Sequence, residues 1–121
     1  MRVFDSSALL ALLRGETGGK VVDDYLGESG WCSAANWAEI AEKLPQLGVS
    51  WAAAREALLT YDLRVEPVTM ADAEAAAALW AEGSGLSLAD RLCLALGDRL
   101  KVPIVTCDKA WSKHSGVVLV R

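Results

Sequence analysis

Short apolar runs of strand character alternate along this 121-residue chain with stretches whose apolar residues recur at helical spacing. No other feature constrains the fold as strongly. Strands joined through helices pair parallel, because a helical crossover carries the chain back to start the next strand in the same direction. The expected architecture is therefore α/β, a central twisted parallel sheet flanked by helices. In such sheets ligands bind beyond the carboxyl ends of the strands.

In chain order, residues 2–4 read as a first strand ending at Asp5. Ser6 or Ser7 can cap a helix over the apolar run Ala8 to Leu13, closed by Arg14-Gly15. Gly18-Gly19 opens a second helix with Val21, Val22, Tyr25 and Leu26 as its stripe. Residues 31–34 form a buried strand, and Asn36 can cap a helix in which Trp37, Ile40, Ala41 and Leu44 share one face. Pro45 and Gly48 break that helix, and Ser50 caps another running to about Tyr61. Residues 63–68 read as a strand and 70–82 as an alanine-rich helix stopped by Gly83-Ser84-Gly85. Ser87 caps a helix ending near Leu100, with Leu88, Leu92, Ala95 and Leu96 as its apolar stripe. Residues 102–106 read as a strand, 108–113 as a helical turn and 117–120 as a last strand.

At this length, with 53% hydrophobic residues and three prolines, a single domain over residues 1–121 with a packed core is expected. The longest apolar run, Ala75 to Ala81, is too short to span a membrane. The N-terminus reaches Asp5 too early for a signal peptide, so a cytoplasmic location is expected. Cys32, Cys93 and Cys107 form no CxxC pair and read as buried free thiols. The single histidine, His114, excludes His-rich zinc sites and reads as solvated. A net charge of −4 gives no broad basic footprint for nucleic acid. An acidic cleft can still receive phosphate through bound metal ions.

Acidic residues recur where ligands are expected. Asp5 and Asp108 directly follow strands, while Glu39 and Asp90 stand in first turns of helices. Each also has a purely structural use. Asp5 suits a turn or cap, Glu39 an ion pair with Lys43, Asp90 a capping box with Ser87, and Asp108 a cap for the turn after it. Glu42 rivals Glu39 but lies a turn farther from the strand end. Crowded carboxylates raise one another's pKa, and a hard divalent cation such as Mg²⁺ or Mn²⁺ removes that penalty.

The segments Asp5-Ser-Ser-Ala-Leu, Asn36-Trp-Ala-Glu39, Leu88-Ala-Asp90 and Thr106-Cys-Asp108, in this order and spacing, resemble a PIN domain over essentially the whole chain. The size and spacing are similar to VapC-type toxin ribonucleases of bacterial toxin–antitoxin pairs. The resemblance implies a PIN-like fold and a metal-dependent endoribonuclease. Asp5, Asp90 and Asp108 would bind Mg²⁺ or Mn²⁺, and Glu39 would be a ligand or orient the attacking water. It also implies a homodimer and a cognate antitoxin. Asp72 and Asp98 lie outside the motifs and read as surface charges.

Around these carboxylates, Ser6 and Thr106 can supply hydrogen bonds to the ligands. Arg91 and Lys109 can contact the RNA backbone, with Lys113 four residues beyond Lys109. Arg91 can instead pair with a ligand carboxylate. Among the five tryptophans, Trp37 belongs to the core, while Trp51 and Trp80 suit partner surfaces. Two other classes of function remain open at this point, a silent PIN-like binding module and an α/β phosphohydrolase with an aspartyl nucleophile. The second is disfavoured by Ser7, which stands where such phosphatases usually carry another aspartate.

Overall fold

In the computed structural model, which covers residues 1–121, five parallel strands form one sheet in the order β3-β2-β1-β4-β5. The strands are β1 (Arg2–Phe4), β2 (Gly30–Ser33), β3 (Leu63–Glu66), β4 (Ile104–Thr106) and β5 (Val117–Leu119). Six helices accompany them, namely α1 (Ser6–Arg14), α2 (Gly19–Leu26), α3 (Ala34–Gln46), α4 (Trp51–Leu58), α5 (Met70–Ala78) and α6 (Leu88–Leu100). A short 3-10 helix, Lys109–Trp111, precedes β5. No helix is long and apolar enough to cross a membrane.

Central β1 is buried on both faces, as a parallel strand between helical layers must be. Phe4 packs with Leu9, Val22, Leu26, Ile40 and Leu44 on one face. Val3 packs with Leu94, Leu96, Ile104 and Trp111 on the other. Because the chain crosses from β1 to β2 on one side while β4 pairs on the other, the strand order reverses at β1. The carboxyl ends of β1, β2 and β4 therefore open onto one crevice.

Local chemistry moves several boundaries. Asp5 itself caps α1, displacing Ser6 and Ser7, because its carboxylate accepts from the Ala8 amide at 2.8 Å. Ser33, not Asn36, caps α3, since its hydroxyl accepts from Ala35 N at the end of β2. Pro45 does not break α3. It sits in the last turn, where only one backbone bond is forfeited, and the helix ends after Gln46. Thr69 and Asp72 form a capping box that starts α5, which stops at Ala78 instead of reaching 82. β3 and β4 are shorter than the apolar runs that suggested them.

Four side chains depart from their expected settings. Leu88, the first residue of α6, is 59% exposed instead of joining the apolar stripe. Asp72 is buried, not a surface charge, and pairs with Arg99 through contacts of 2.8 and 3.2 Å. His114 is half-buried, with Nε2 3.2 Å from Asp98 Oδ1. Trp51 packs edge-on against Trp37, ring centroids 5.1 Å apart, so it belongs to the core margin. Trp80 is 63% exposed.

The packing of α6 on β4 depends on Gly97. A Cβ there would lie 2.2 Å from Ile104 Cγ1, and Ile104 is fully buried. Gly97→Ala gains about 1 kcal/mol of helix propensity, while overpacking a closed core costs about 1–3 kcal/mol. The expected result is a net loss of stability, read as a lower denaturation midpoint with an unchanged m-value.

Candidate active site

Asp5 is the most enclosed of the acidic residues in the crevice, at 2% exposure. Its amide continues the β1–β4 ladder to Val105 O at 3.1 Å, which places the carboxylate at the strand end. Ser7 Oγ lies 2.7 Å from Oδ1 and 2.9 Å from Oδ2, and Thr106 Oγ1 donates to Oδ2 at 2.6 Å. The two hydroxyls are themselves held from behind. Cys107 N donates to Ser7 Oγ at 2.9 Å, and Asp108 N to Thr106 Oγ1 at 3.0 Å. Backbone amides at the end of β4 thus orient hydroxyls that orient Asp5. Burial nevertheless outweighs these bonds, and its carboxyl is pushed up to about 6, with the neighbouring Asp90 charge adding to the rise.

Glu39 projects from the first turns of α3. Its Oε1 accepts from Asn36 Nδ2 at 2.7 Å and Ser6 Oγ at 3.0 Å, and it forms no ion pair with Lys43. Asn36 is fully buried, and its Oδ1 has no hydrogen-bond partner. Asp90 does form the capping box with Ser87, accepting from Ser87 N at 2.9 Å and donating its own amide to Ser87 Oγ at 3.1 Å. Burial raises its carboxyl despite the cap, and the charges of Glu39 and Asp108 raise it further. Asp108 is exposed and caps the 3-10 helix by accepting from Ala110 N at 2.9 Å.

The structural uses foreseen for Asp5, Asp90 and Asp108 are therefore real, but they leave the charges unanswered. None of the four carboxylates has a cationic partner. They do not form a tight cage either, since no three acidic, histidine or cysteine side chains stand close enough together to hold a metal ion. Bare carboxylates repel, and here Asp5 is held back by hydroxyls and Asp90 by its own cap. The set still suits a hard cation in its chemistry. All its donors are oxygens, two carboxyls are harder to ionise than usual, and Asn36 Oδ1 is a buried acceptor with nothing to accept from. Cys32 and Cys93 are no rivals as ligands, because burial pushes both thiols up.

Of the basic residues, Lys109 is exposed directly after Asp108 and has no acidic partner. Arg91 is turned to α5, donating through Nη1 to Ala76 O at 2.9 Å, and pairs with no carboxylate. Ser7 and Asn36 are the participants that sequence reasoning used only as helix caps. Their adjacency to Asp5 and Glu39, at i+2 and i−3, was the available signal.

Fold and crevice together define a class. The model of the PIN domain family matches residues 2–117, and the chain belongs to that family. No curated protein matches the sequence. Among solved structures, a chain of a toxin–antitoxin complex from Klebsiella pneumoniae is similar at a TM-score of 0.82 and 21% identity, covering 100% of this chain and 98% of that one. VapC20 of Mycobacterium tuberculosis, described as a sarcin–ricin loop cleaving toxin, is similar at 0.75 and 20% identity over 100% of both chains. A chain of VapBC2 from Rickettsia felis, bound to a promoter DNA fragment, is similar at 0.71 and 13% identity, covering 98% of this chain and 96% of that one.

Proposed function

We propose that this chain is a single PIN domain acting as a divalent-metal-dependent endoribonuclease, the toxin of a toxin–antitoxin pair. The observation that carries this reading is a set of four carboxylates without counter-ions at the carboxyl ends of β1, β2 and β4. Asp5, Asp90 and Asp108 would hold Mg²⁺ or Mn²⁺. Bound there, the ion would neutralise phosphate charge and lower the pKa of water.

The chain's own residues do the positioning. Ser7 and Thr106 fix the Asp5 carboxylate, and each is fixed in turn by a backbone amide. Ser6 and Asn36 both engage Glu39 Oε1, which leaves Oε2 free to orient an attacking water. Lys109 meets the RNA backbone, while Arg91, committed to Ala76 O, adds its positive field. An aspartyl-nucleophile phosphohydrolase fits poorly, because Asp5 is buried and both its oxygens already accept hydrogen bonds.

The same reading carries an RNA substrate, a cognate antitoxin, a homodimer and a cytoplasmic location. The similar chains from a Klebsiella pneumoniae toxin–antitoxin complex and from VapBC2 of Rickettsia felis support the antitoxin. The test is cleavage of RNA by purified protein. Activity with Mg²⁺ or Mn²⁺ and none in excess EDTA is expected, and robust cleavage in EDTA would overturn the reading.

A further inference from the structure

The largest concavity of the molecule flanks the acidic crevice instead of containing it. It is a groove of about 590 Å³ between the α5–α6 connection, residues 79–86, and the segment 109–114. A volume of about 300–1,000 Å³ is usual for a small-molecule site. We propose that this groove binds a single-stranded segment of RNA next to the scissile phosphate, an inference that rests on the nuclease reading above.

Four observations carry it. The groove shares both its edges with the acidic crevice. One wall runs through Leu86 into Ser87, whose amide binds Asp90, and the other begins at Lys109 and Ala110, whose amide binds Asp108. The walls meet where a Cβ on Gly85 would lie 3.8 Å from Ala110 Cβ. A chain laid along the groove therefore arrives at Asp90 and Asp108.

The groove is also positive in a protein of net charge −4. Lys109 and Lys113 line it with no acidic partner, against a single lining carboxylate, Glu82. Unpaired ammonium groups beside an acidic site are suited to phosphates on either side of the one being cut.

Trp111 supplies the third observation. It lines the groove at 1% exposure, and its indole Nε1 is buried without a partner. An indole nitrogen can only donate, and because it is buried, an acceptor on a bound chain such as a phosphate, ribose or base oxygen reaches it only if the 109–114 wall shifts on binding. Finally, Trp80 does not line the groove but stands 63% exposed between two residues that do, Leu79 and Ala81. An exposed indole beside a phosphate track is a stacking platform for a base, and only unpaired bases can use it.

The test combines cleavage kinetics in Mn²⁺ with photo-cross-linking of 4-thiouridine RNA in EDTA, on wild type, Lys113→Glu and Trp80→Ala. Both side chains are exposed or only partly buried, so the fold should tolerate the changes. Lys101→Glu, at the opposite end of α6, is the charge control. Wild type should cross-link within residues 79–86 or 109–114. Each groove variant should raise KM by about tenfold or more with kcat within about twofold, a loss of the size that stacking or phosphate contacts give. Lys113→Glu should also flatten the salt dependence by about 0.7 in the log–log slope. Wild-type kinetics in both variants, or cross-links confined to other segments, would overturn the groove. So would variants that bind RNA normally yet lose a protein partner, since the groove would then be a protein-docking surface. RNA that cross-links in the groove of a wild type unable to cleave it would instead overturn the nuclease reading and leave the groove standing.

Discussion

Asp5→Asn is expected to reduce RNA cleavage by more than about a hundredfold, because even groups that only orient a metal ligand cost about 10–100-fold when lost. The same change should make the metal-free protein more stable at pH 8. Asn keeps an acceptor for the Ala8 amide, and the Ser7 and Thr106 hydroxyls can rotate to meet the new amide group. What disappears is a buried charge that has no counter-ion.

The size and pH range of that gain follow from the Asp5 carboxyl itself. It rises from an ordinary 3.8 to about 6 in the folded protein, chiefly through burial. The folded state therefore binds this proton more tightly than the unfolded chain does. Its stabilising contribution is complete below about pH 3.8 and is lost as pH rises through about 6. At pH 8 the charged wild-type side chain should cost about 3 kcal/mol relative to its neutral form. Denaturation of both proteins in EDTA between pH 4 and 8 checks this. The advantage of Asp5→Asn should narrow as pH falls through 6 and close near pH 4. A mutant that is less stable than wild type at pH 8 would mean that the hydrogen bonds around Asp5, not its buried charge, dominate.

The outline of the site was legible because acidic residues at strand ends and helix starts are local facts. β1, β2 and β4 end where their apolar runs end, and a parallel sheet must bring those ends together. What holds the carboxylates is not local. Thr106 lies 101 residues from Asp5 and meets it only through the β1–β4 pairing, so its bond to that carboxylate could not be assigned from spacing. Caps were misplaced for a related reason. Ser6, Ser7 and Asp5 all suit an N-cap, and the strand ladder decided among them by fixing Asp5 at the end of β1. Leu88 matched a helical stripe in sequence, yet as the first residue of α6, next to the Ser87 cap, it is left exposed. Asp72 read as a surface charge because Arg99, its partner, lies on the next helix.

Asp90 separates the central claim from its plainest rival. It visibly caps α6, and if that were its whole role, removing its charge at the positive end of the helix would cost about 0.3–1 kcal/mol. Against that stands a carboxyl raised by burial and by the charges of Glu39 and Asp108. An Asn side-chain oxygen can still accept from Ser87 N, so Asp90→Asn keeps the capping box and removes only the charge. The decisive measurement is the melting of wild type and Asp90→Asn at pH 8, in EDTA and in Mn²⁺. If the four carboxylates act as one cation site, the mutant melts no lower than wild type in EDTA. Mn²⁺ at about a hundred times its Kd then adds about 2.7 kcal/mol to wild type and almost nothing to the mutant. A mutant that melts lower in EDTA and gains as much from Mn²⁺ as wild type does would contradict the account and leave Asp90 as a helix cap.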